Sequence, residues 1–233
     1  MIKLINDYNE TEDEENENQN EAVDRDDDGV IKSPEKARHR VHVLNIIGQI
    51  EGHQSLSSNN KTTKYEHVIP QLTIVEEDTD IEGLLIILNT VGGDVEAGLA
   101  IAEMIAGLTK PTVSIVIGGG HSIGVPLAVA ANYSFIAQTA TMTLHPIRMS
   151  GTIIGASQTY EYFEKVQQQV ISFIDRNSKI SPARLKKLTS ATGQISNDIG
   201  TILFGDEAVK LGIINSVGTI GDAFKKLYDL IER

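Results

Sequence analysis

The feature that most constrains the fold is a regular alternation of short apolar runs with helix-length segments. The runs at 41–47, 83–88 and 112–117 are rich in β-branched residues, and segments with helical periodicity follow the second and third of them. Strands that alternate with helices in this way form βαβ units around a largely parallel sheet, so the sequence predicts an α/β fold. The predicted strands are 41–47, 83–88, 112–117, 133–137, 141–144 and 213–217; the predicted helices are 66–75, 95–108, 122–131, 156–177, 206–211 and 220–231, with a further helix capped by Ser181-Pro182.

The segment before this pattern has a different composition. Residues 1–28 contain 12 of the 32 acidic residues of the chain and only two of its 20 basic ones, so most of the net charge of −12 lies there. The segment has few apolar residues and repeated Asn and Gln, and therefore cannot bury enough surface to offset the entropy of ordering. The sequence predicts a disordered acidic tail and joint over 1–38, followed by one folded domain over 39–233.

Charge and composition exclude several classes of function. An acidic chain with a nearly neutral body argues against a nucleic-acid partner. The chain has no cysteine, which excludes a thiol nucleophile, a disulfide framework and a thiolate metal site. We find no signal-peptide pattern and no apolar run of about 18 residues, so we expect no membrane span and a cytoplasmic location.

Two glycine-rich turns follow predicted strands and mark the candidate site. In the first, the strand ends in Gly118-Gly-Gly120, and Ser122 follows where a helix should start. A serine at such a turn has an exposed hydroxyl beside free backbone N–H groups, which suits a nucleophile, although a plain helix N-cap is the alternative. Because no lysine follows in a Gly-Lys-Ser/Thr arrangement, the turn is not a P-loop.

The second glycine turn, Gly92-Gly93, lies at the carboxyl end of the neighbouring strand. Parallel strands bring such ends to one edge of the sheet, where α/β proteins build their sites. The N–H groups of Gly93 and Ile123 could therefore form an oxyanion hole. Asp94 and Glu96, in the first turn of the next helix, are better explained as partners of its dipole.

A serine nucleophile needs a base, and His145 is the best placed of the six histidines. It ends a predicted strand directly before Pro146, so its imidazole can be held rigidly. His121 adjoins the serine but should point elsewhere. For a carboxylate that orients His145, the downstream candidates are Asp175, Asp198 and Asp206, and Asp198, in the predicted loop 195–201, is the best placed.

Five segments of this sequence resemble the proteolytic subunit of Clp protease (peptidase S14). They are 89–101, 110–114, Gly120-His-Ser-Ile-Gly124, Met142-Thr-Leu-His145 and 207–214, and the likeness spans 41–217. The resemblance implies the ClpP/crotonase fold, with repeated βαβ units and a protruding handle helix after His145. It also implies a serine endopeptidase that cleaves unfolded proteins or peptides through an acyl-enzyme, needs no cofactor and assembles into homo-oligomeric rings. The matching positions carry over as Ser122 for the nucleophile, His145 for the base, and Gly93 and Ile123 for the oxyanion donors.

The chain departs from the family pattern at three positions. His121 replaces a small residue, Pro146 replaces a glutamine, and Gly200 stands where the triad aspartate is expected, two residues from Asp198. These departures resemble the translocation-enhancing (TepA) branch of the family, which implies a context of protein export. Candidate partners are then export components or an ATPase unfoldase.

Two other functions compete with the peptidase, and a serine–lysine dyad is an alternative mechanism for the peptidase itself. A non-catalytic or weakly active export adaptor fits Gly200 and the acidic tail. A crotonase-type acyl-CoA enzyme would share the fold, but no acidic residue lies between Glu103 and Glu161 to act as its base. A serine–lysine dyad would need a nearby lysine, and the chain has none between Lys110 and Lys165.

Overall fold

The computed structural model describes residues 37–148, 154–195 and 198–233. The predicted tail therefore lies almost wholly outside the described residues. The strands are β1 (Val41–Glu51), β2 (Thr62–Lys64), β3 (Gly83–Gly93), β4 (Thr112–Gly120), β5 (Tyr133–Ile136), β6 (Thr141–Leu144), β7 (Thr192–Ile195), β8 (Asp198–Ile199), β9 (Thr201–Phe204) and β10 (Ser216–Val217). The helices are α1 (Tyr65–Glu77), α2 (Val95–Gly107), α3 (Gly124–Val129), α4 (Ala156–Arg176), α5 (Pro182–Thr189), α6 (Gly205–Lys210) and α7 (Ile220–Ile231).

A mostly parallel sheet forms the centre of the protein, which confirms the predicted α/β class. Its strand order is β10-β5-β4-β3-β1-β2, and every pair along this path is parallel. β6 leaves the path: it pairs with the end of β4 in parallel and with β9 antiparallel. The continuous apolar runs of the central strands suit this arrangement because helices cover both of their faces.

The side chains of β3 alternate between two hydrophobic clusters. Leu84 and Ile86 pack in the larger cluster with residues of α1, α2 and α3, whereas Leu85 packs in the smaller one with Ala223 and Leu227 of α7. All three β3 side chains are fully buried. Burying one such side chain contributes roughly 1.5–3 kcal/mol to the stability of the fold. Packing on both faces therefore fixes the position of β3 and of its C-terminal end.

Both central strands run further than the sequence indicated. β3 continues through Gly92-Gly93 and β4 through Gly118-Gly-Gly120, where turns were expected. The register of the β3–β4 pair shifts between Leu88 and Thr90, so the glycine segments remain extended while the ladder becomes irregular. The helix after Ser122 begins at Gly124, two residues later than expected.

The prediction of a loop over 195–201 was wrong for the described residues of that range. Ile195 ends β7, Asp198–Ile199 form β8, which pairs antiparallel with β7, and Thr201 begins β9, which adds to the sheet beside β6. β8 is too short to show a pattern, and the four residues of β7 and of β9 do not alternate regularly between polar and apolar as those of β6 do. In contrast, the predicted bounds of β6 and α7 agree with the structure, and Ser181 caps α5 as expected.

Of the helices that the structure describes, none is both long and apolar enough to cross a membrane. α4 is the longest, and the buried residues it contributes, Ile171, Phe173 and Ile174, all lie in its C-terminal half. Tyr160 and Tyr162 in the N-terminal half are exposed. This half of the helix therefore projects from the body, as the predicted handle does; residues 149–153 of that handle lie outside the described part.

Candidate active site

Ser122 lies in a strained turn between β4 and α3. Its φ is 58°, and of the residues that the structure describes it is the one non-glycine in the left-handed region. Such a conformation costs on the order of 1–3 kcal/mol and persists when surrounding contacts determine it. Two contacts do so here: the Ser122 N–H donates to the Thr143 carbonyl (2.8 Å), and the Ser122 carbonyl accepts from Val125 (3.0 Å).

Glycines make room for this turn. A Cβ on Gly92 would lie 2.7 Å from the Cβ of Ser122, and one on Gly98 would lie 2.4 Å from Cγ1 of Ile123. Both distances are too short for carbon atoms, so any larger residue would displace the turn. The glycines of the Gly92-Gly93 segment and of α2 therefore allow Ser122 and Ile123 to sit against the end of β3.

Two backbone N–H groups beside Ser122 are available as donors. Asp94 donates to the Ile50 carbonyl (3.0 Å), and Gly93 is the residue paired with Ile50, so the N–H of Gly93 points away from β1. The N–H of Ile123 has no acceptor among the described residues, whereas those of the next two residues are bonded within the turn. Gly93 and Ile123 line the same cavity as Ser122, an arrangement that can bind an oxyanion.

His145 directly follows β6 and lines this cavity too. The ring is partly buried, and its Nδ1 lies 2.7 Å from the carbonyl oxygen of Pro146. Since a carbonyl can only accept, Nδ1 carries the proton and Nε2 keeps a free lone pair. This is the tautomer that a general base requires.

The segment that faces His145 holds a glycine. A Cβ on Gly200 would lie 2.3 Å from the Leu144 carbonyl oxygen and 2.9 Å from Cβ of His145, and its φ is 135°. A side chain has no room at this position, so no aspartate fits there on this backbone. The structure describes the backbone of Asp198 in β8 but not its side chain, and a triad role for Asp198 stays a prediction.

Two of the other carboxylates considered from the sequence, Asp94 and Asp206, have structural partners. Asp94 is the N-cap of α2, and its Oδ1 accepts from the Ala97 N–H (2.8 Å), as expected. Asp206 accepts from Lys210 (2.6 Å) one turn along α6, and this interaction lowers the pKa of its carboxyl. Neither residue lines the cavity around Ser122.

The cavity around Ser122 is small, about 110 Å³, and both polar and apolar side chains line it. A wider cleft of about 1160 Å³ shares Gly93 with it and runs between α2 and α4. The apolar part of the cavity lining is Leu144, Val170, Ile171, Ile174 and Leu185, and its polar part includes Arg148, Gln167 and Thr189. The cavity is thus a narrow hole of mixed polarity that opens beside an extended cleft, which suits one side chain and a stretch of extended chain.

No role was expected for His121 from the sequence, but in the structure this residue makes specific contacts. Its Nδ1 lies 2.9 Å from Oγ1 of Thr143, and the ring is partly buried. Burial is the main cause that lowers the pKa of His121, and the charge of His145 lowers it further. One signal in the sequence pointed to a special role for this residue: a histidine stands before Ser122, where the family has a small residue.

Comparison with known proteins agrees with the motifs. The sequence profile of the Clp protease family matches residues 38–221. The chain is also 58% identical over 205 residues to a protein named translocation-enhancing protein TepA from Halalkalibacterium halodurans. That match covers 88% of this chain and 80% of the relative.

Proposed function

The chain belongs to the Clp protease family, and from this premise we propose that it is a serine endopeptidase acting on unfolded proteins or peptides. The observation that carries the proposal is the shared cavity of Ser122 and His145. Two backbone donors, Gly93 and Ile123, line the same cavity. A nucleophile, a base in the correct tautomer and an oxyanion hole are the parts that acyl transfer needs.

The reaction follows from these positions. Nε2 of His145 takes the proton of the Ser122 hydroxyl while Oγ attacks the peptide carbonyl carbon. The negative charge that develops on the carbonyl oxygen is stabilised by the N–H groups of Gly93 and Ile123. His145 then gives its proton to the leaving amine, which departs and leaves an acyl-enzyme on Ser122. Water repeats the sequence with His145 as base and releases the acid.

The Pro146 carbonyl is the group that orients His145 in this proposal. It holds the proton on Nδ1, as the triad carboxylate does elsewhere, but it is neutral. A neutral acceptor stabilises the imidazolium less than a carboxylate, because hydrogen bonds to an ionised partner are roughly twice as strong. We therefore expect a slow peptidase. Asp198 is the candidate carboxylate that would complete a triad.

The shape of the site favours an extended, unfolded substrate. A backbone placed along the cleft between α2 and α4 would reach Gly93 and place one side chain in the cavity beside Ser122. The small volume of that cavity admits a single side chain of moderate size, which an extended chain can present.

We further propose a homo-oligomeric ring as the assembled state. Large side chains stay exposed on the projecting half of the handle: Ile154 is 88%, Tyr160 66% and Tyr162 57% exposed. Apolar groups exposed along one projecting element are typical of a surface that another subunit covers. The name of the TepA relative supports a role in protein translocation. We also propose export components or an ATPase unfoldase as partners and the cytoplasm as the location.

A fluorophosphonate probe on the full-length chain tests the peptidase directly. We expect a covalent adduct on Ser122 and no adduct in the S122A variant. Well-folded protein that stays unlabelled and does not hydrolyse short apolar peptides would reject the peptidase in favour of an export adaptor. Turnover of an acyl-CoA by the S122A variant would instead indicate a crotonase-type enzyme.

A further inference from the structure

We propose that His121 is a positioning residue whose imidazole ties the nucleophile turn to β6 through Thr143. The inference rests on the proposed peptidase function and deepens it. The contact would fix the distance between the two reacting groups, since Ser122 follows β4 and His145 follows β6. Proton transfer between them requires hydrogen-bond reach, so whatever fixes these two strand ends relative to each other controls the rate.

Thr143 bonds the turn twice, once through its backbone and once through its side chain. Its carbonyl oxygen accepts from the Ser122 N–H (2.8 Å), and its Oγ1 lies 2.9 Å from Nδ1 of His121. Thr143 lies on β6, two residues before His145. The turn and the base are thus connected through one residue.

This connection matters because the ladder between the two strands is minimal. β4 and β6 share a single register pair, Gly119 with Thr141. One pair gives little resistance to a shear of β6 along β4. The two bonds to Thr143 lie further toward the site than that pair and oppose such a movement where it would separate Ser122 from His145.

The ring of His121 lies against the glycine segment at the end of β4. A Cβ on Gly119 would lie 2.7 Å from Nε2 of His121, so the imidazole folds back over the backbone of Gly119. The ring therefore fills the space between the glycine segment and Thr143. A small residue at this position would leave that space empty and Oγ1 of Thr143 without its partner.

The charge state of His121 suits this role. Burial and the charge of His145 both lower its pKa, so it stays neutral at pH values where an ordinary histidine becomes protonated. Thr143 and Gly119, which contact the ring, carry no charge. A neutral ring imposes no repulsion on the imidazolium that forms on His145 during acyl transfer.

Four variants test the connection on the full-length chain. T143V removes the hydroxyl and keeps the shape, and T143S keeps the hydroxyl as its matched control. H121A removes the ring, and H121N can place an amide atom where Nδ1 was. We expect T143V and H121A each to lower kcat and the rate of fluorophosphonate labelling about tenfold with KM unchanged, the effect of roughly one hydrogen bond.

The controls and the double variant complete this test. T143S and H121N should stay within about twofold of the parent protein, and H121A/T143V should be no slower than either single variant, because both remove the same bond. Equal rates in T143V and the parent protein would overturn the inference while the peptidase stands. Additive losses in the double variant would overturn it as well. An unlabelled parent protein would reject the peptidase instead.

A measurement without catalysis separates these cases. In the ¹⁵N spectrum of the imidazole groups, T143V should shift the Nδ1 signal of His121 and change its titration curve, whereas T143S should not. Superimposable His121 curves in T143V and the parent protein would overturn the inference whether or not the enzyme is active. Thermal unfolding of each variant verifies that it is folded.

Discussion

The turn that carries Ser122 and the segment that faces His145 differ in how they are held. Backbone hydrogen bonds, closely packed glycines and the His121–Thr143 pair hold the turn. On the histidine side, Nδ1 is bonded to the Pro146 carbonyl, and Gly200 leaves no room for a carboxylate at the family position. The turn of Ser122 is thus strongly pre-organised, whereas the Nδ1 contact of His145 is to a neutral group. In the proposed peptidase, the orientation of the base would therefore be the weaker part of the site.

The largest effect should come from the nucleophile side itself. S122A removes the atom that attacks the peptide carbonyl, and we expect peptide turnover to fall by on the order of 10³-fold or more, to the background. The measurement is kcat/KM on a short apolar peptide, with the thermal midpoint as the control for folding. Substantial turnover by S122A would mean that another group is the nucleophile.

The next effect concerns the glycine that faces His145. G200A introduces a Cβ that would lie 2.3 Å from the Leu144 carbonyl oxygen, so His145 must move and activity should fall with stability. G193A is the matched control: Gly193 has a φ of 87°, but a Cβ added there would have no atom within 4 Å. We expect G193A to lower the free energy of unfolding by about 1–2 kcal/mol, the cost of a left-handed conformation.

G200A should cost about 1–3 kcal/mol more than G193A, because overpacking is added to the same backbone strain. Denaturant unfolding gives both free energies. Equal losses in the two variants would show that the backbone relaxes around the new methyl group. In that case the contact between Gly200 and His145 does not restrict this position, and an aspartate could be introduced there.

A smaller effect is expected at Asp198. If the Pro146 carbonyl orients His145, D198N should lower kcat less than about tenfold, whereas loss of a true triad carboxylate costs about 10⁴-fold. The thermal midpoint of D198N is the control for folding. A loss near the larger value would identify Asp198 as the orienting carboxylate and remove the contrast between the two sides of the site.

The smallest expected effect is on stability and concerns His39, which lies outside both regions. Its imidazole lies 3.0 Å from Glu232 of the chain end beyond α7 and 3.1 Å from Glu82 before β3. The hydrogen bond to Glu232 is the main cause that raises the pKa of His39, and the hydrogen bond to Glu82 raises it further. The protonated ring therefore stabilises the fold below its ordinary pKa of 6.5, and that contribution disappears as the pH rises through the raised value.

The H39Q variant checks this expectation. Its thermal midpoint should be lower than that of the parent protein at pH 6 and converge with it at higher pH, with kcat unchanged. In acid the contribution fades again as Glu232 and Glu82, whose pKa values the cluster lowers, become protonated. A constant difference between the two proteins from pH 6 to pH 9 would contradict an ionic role for His39.

Much of the fold could be predicted because its elements are long and periodic. α2, α4 and α7 were expected within two residues of their observed ends, and the central strands were recognised from their β-branched runs. β7, β8 and β9 were missed because their two to four residues do not alternate regularly between polar and apolar, unlike the four residues of β6. Their pairing depends on β6 and on each other, which are contacts that only the folded chain makes.

At the site, the sequence indicated which residues are candidates, but not which of them contact one another. Glycine-rich strand ends beside Ser122, and a histidine that ends a strand, carry local signals because backbone geometry restricts which residues fit there. The contact of His145 with the carbonyl of the next residue, Pro146, is local, but no residue pattern announces it. The fit of Gly200 against His145 and the bond from His121 to Thr143 depend on the register of β6 between β4 and β9. That register is a long-range property, so the tertiary structure alone decided what surrounds these two histidines.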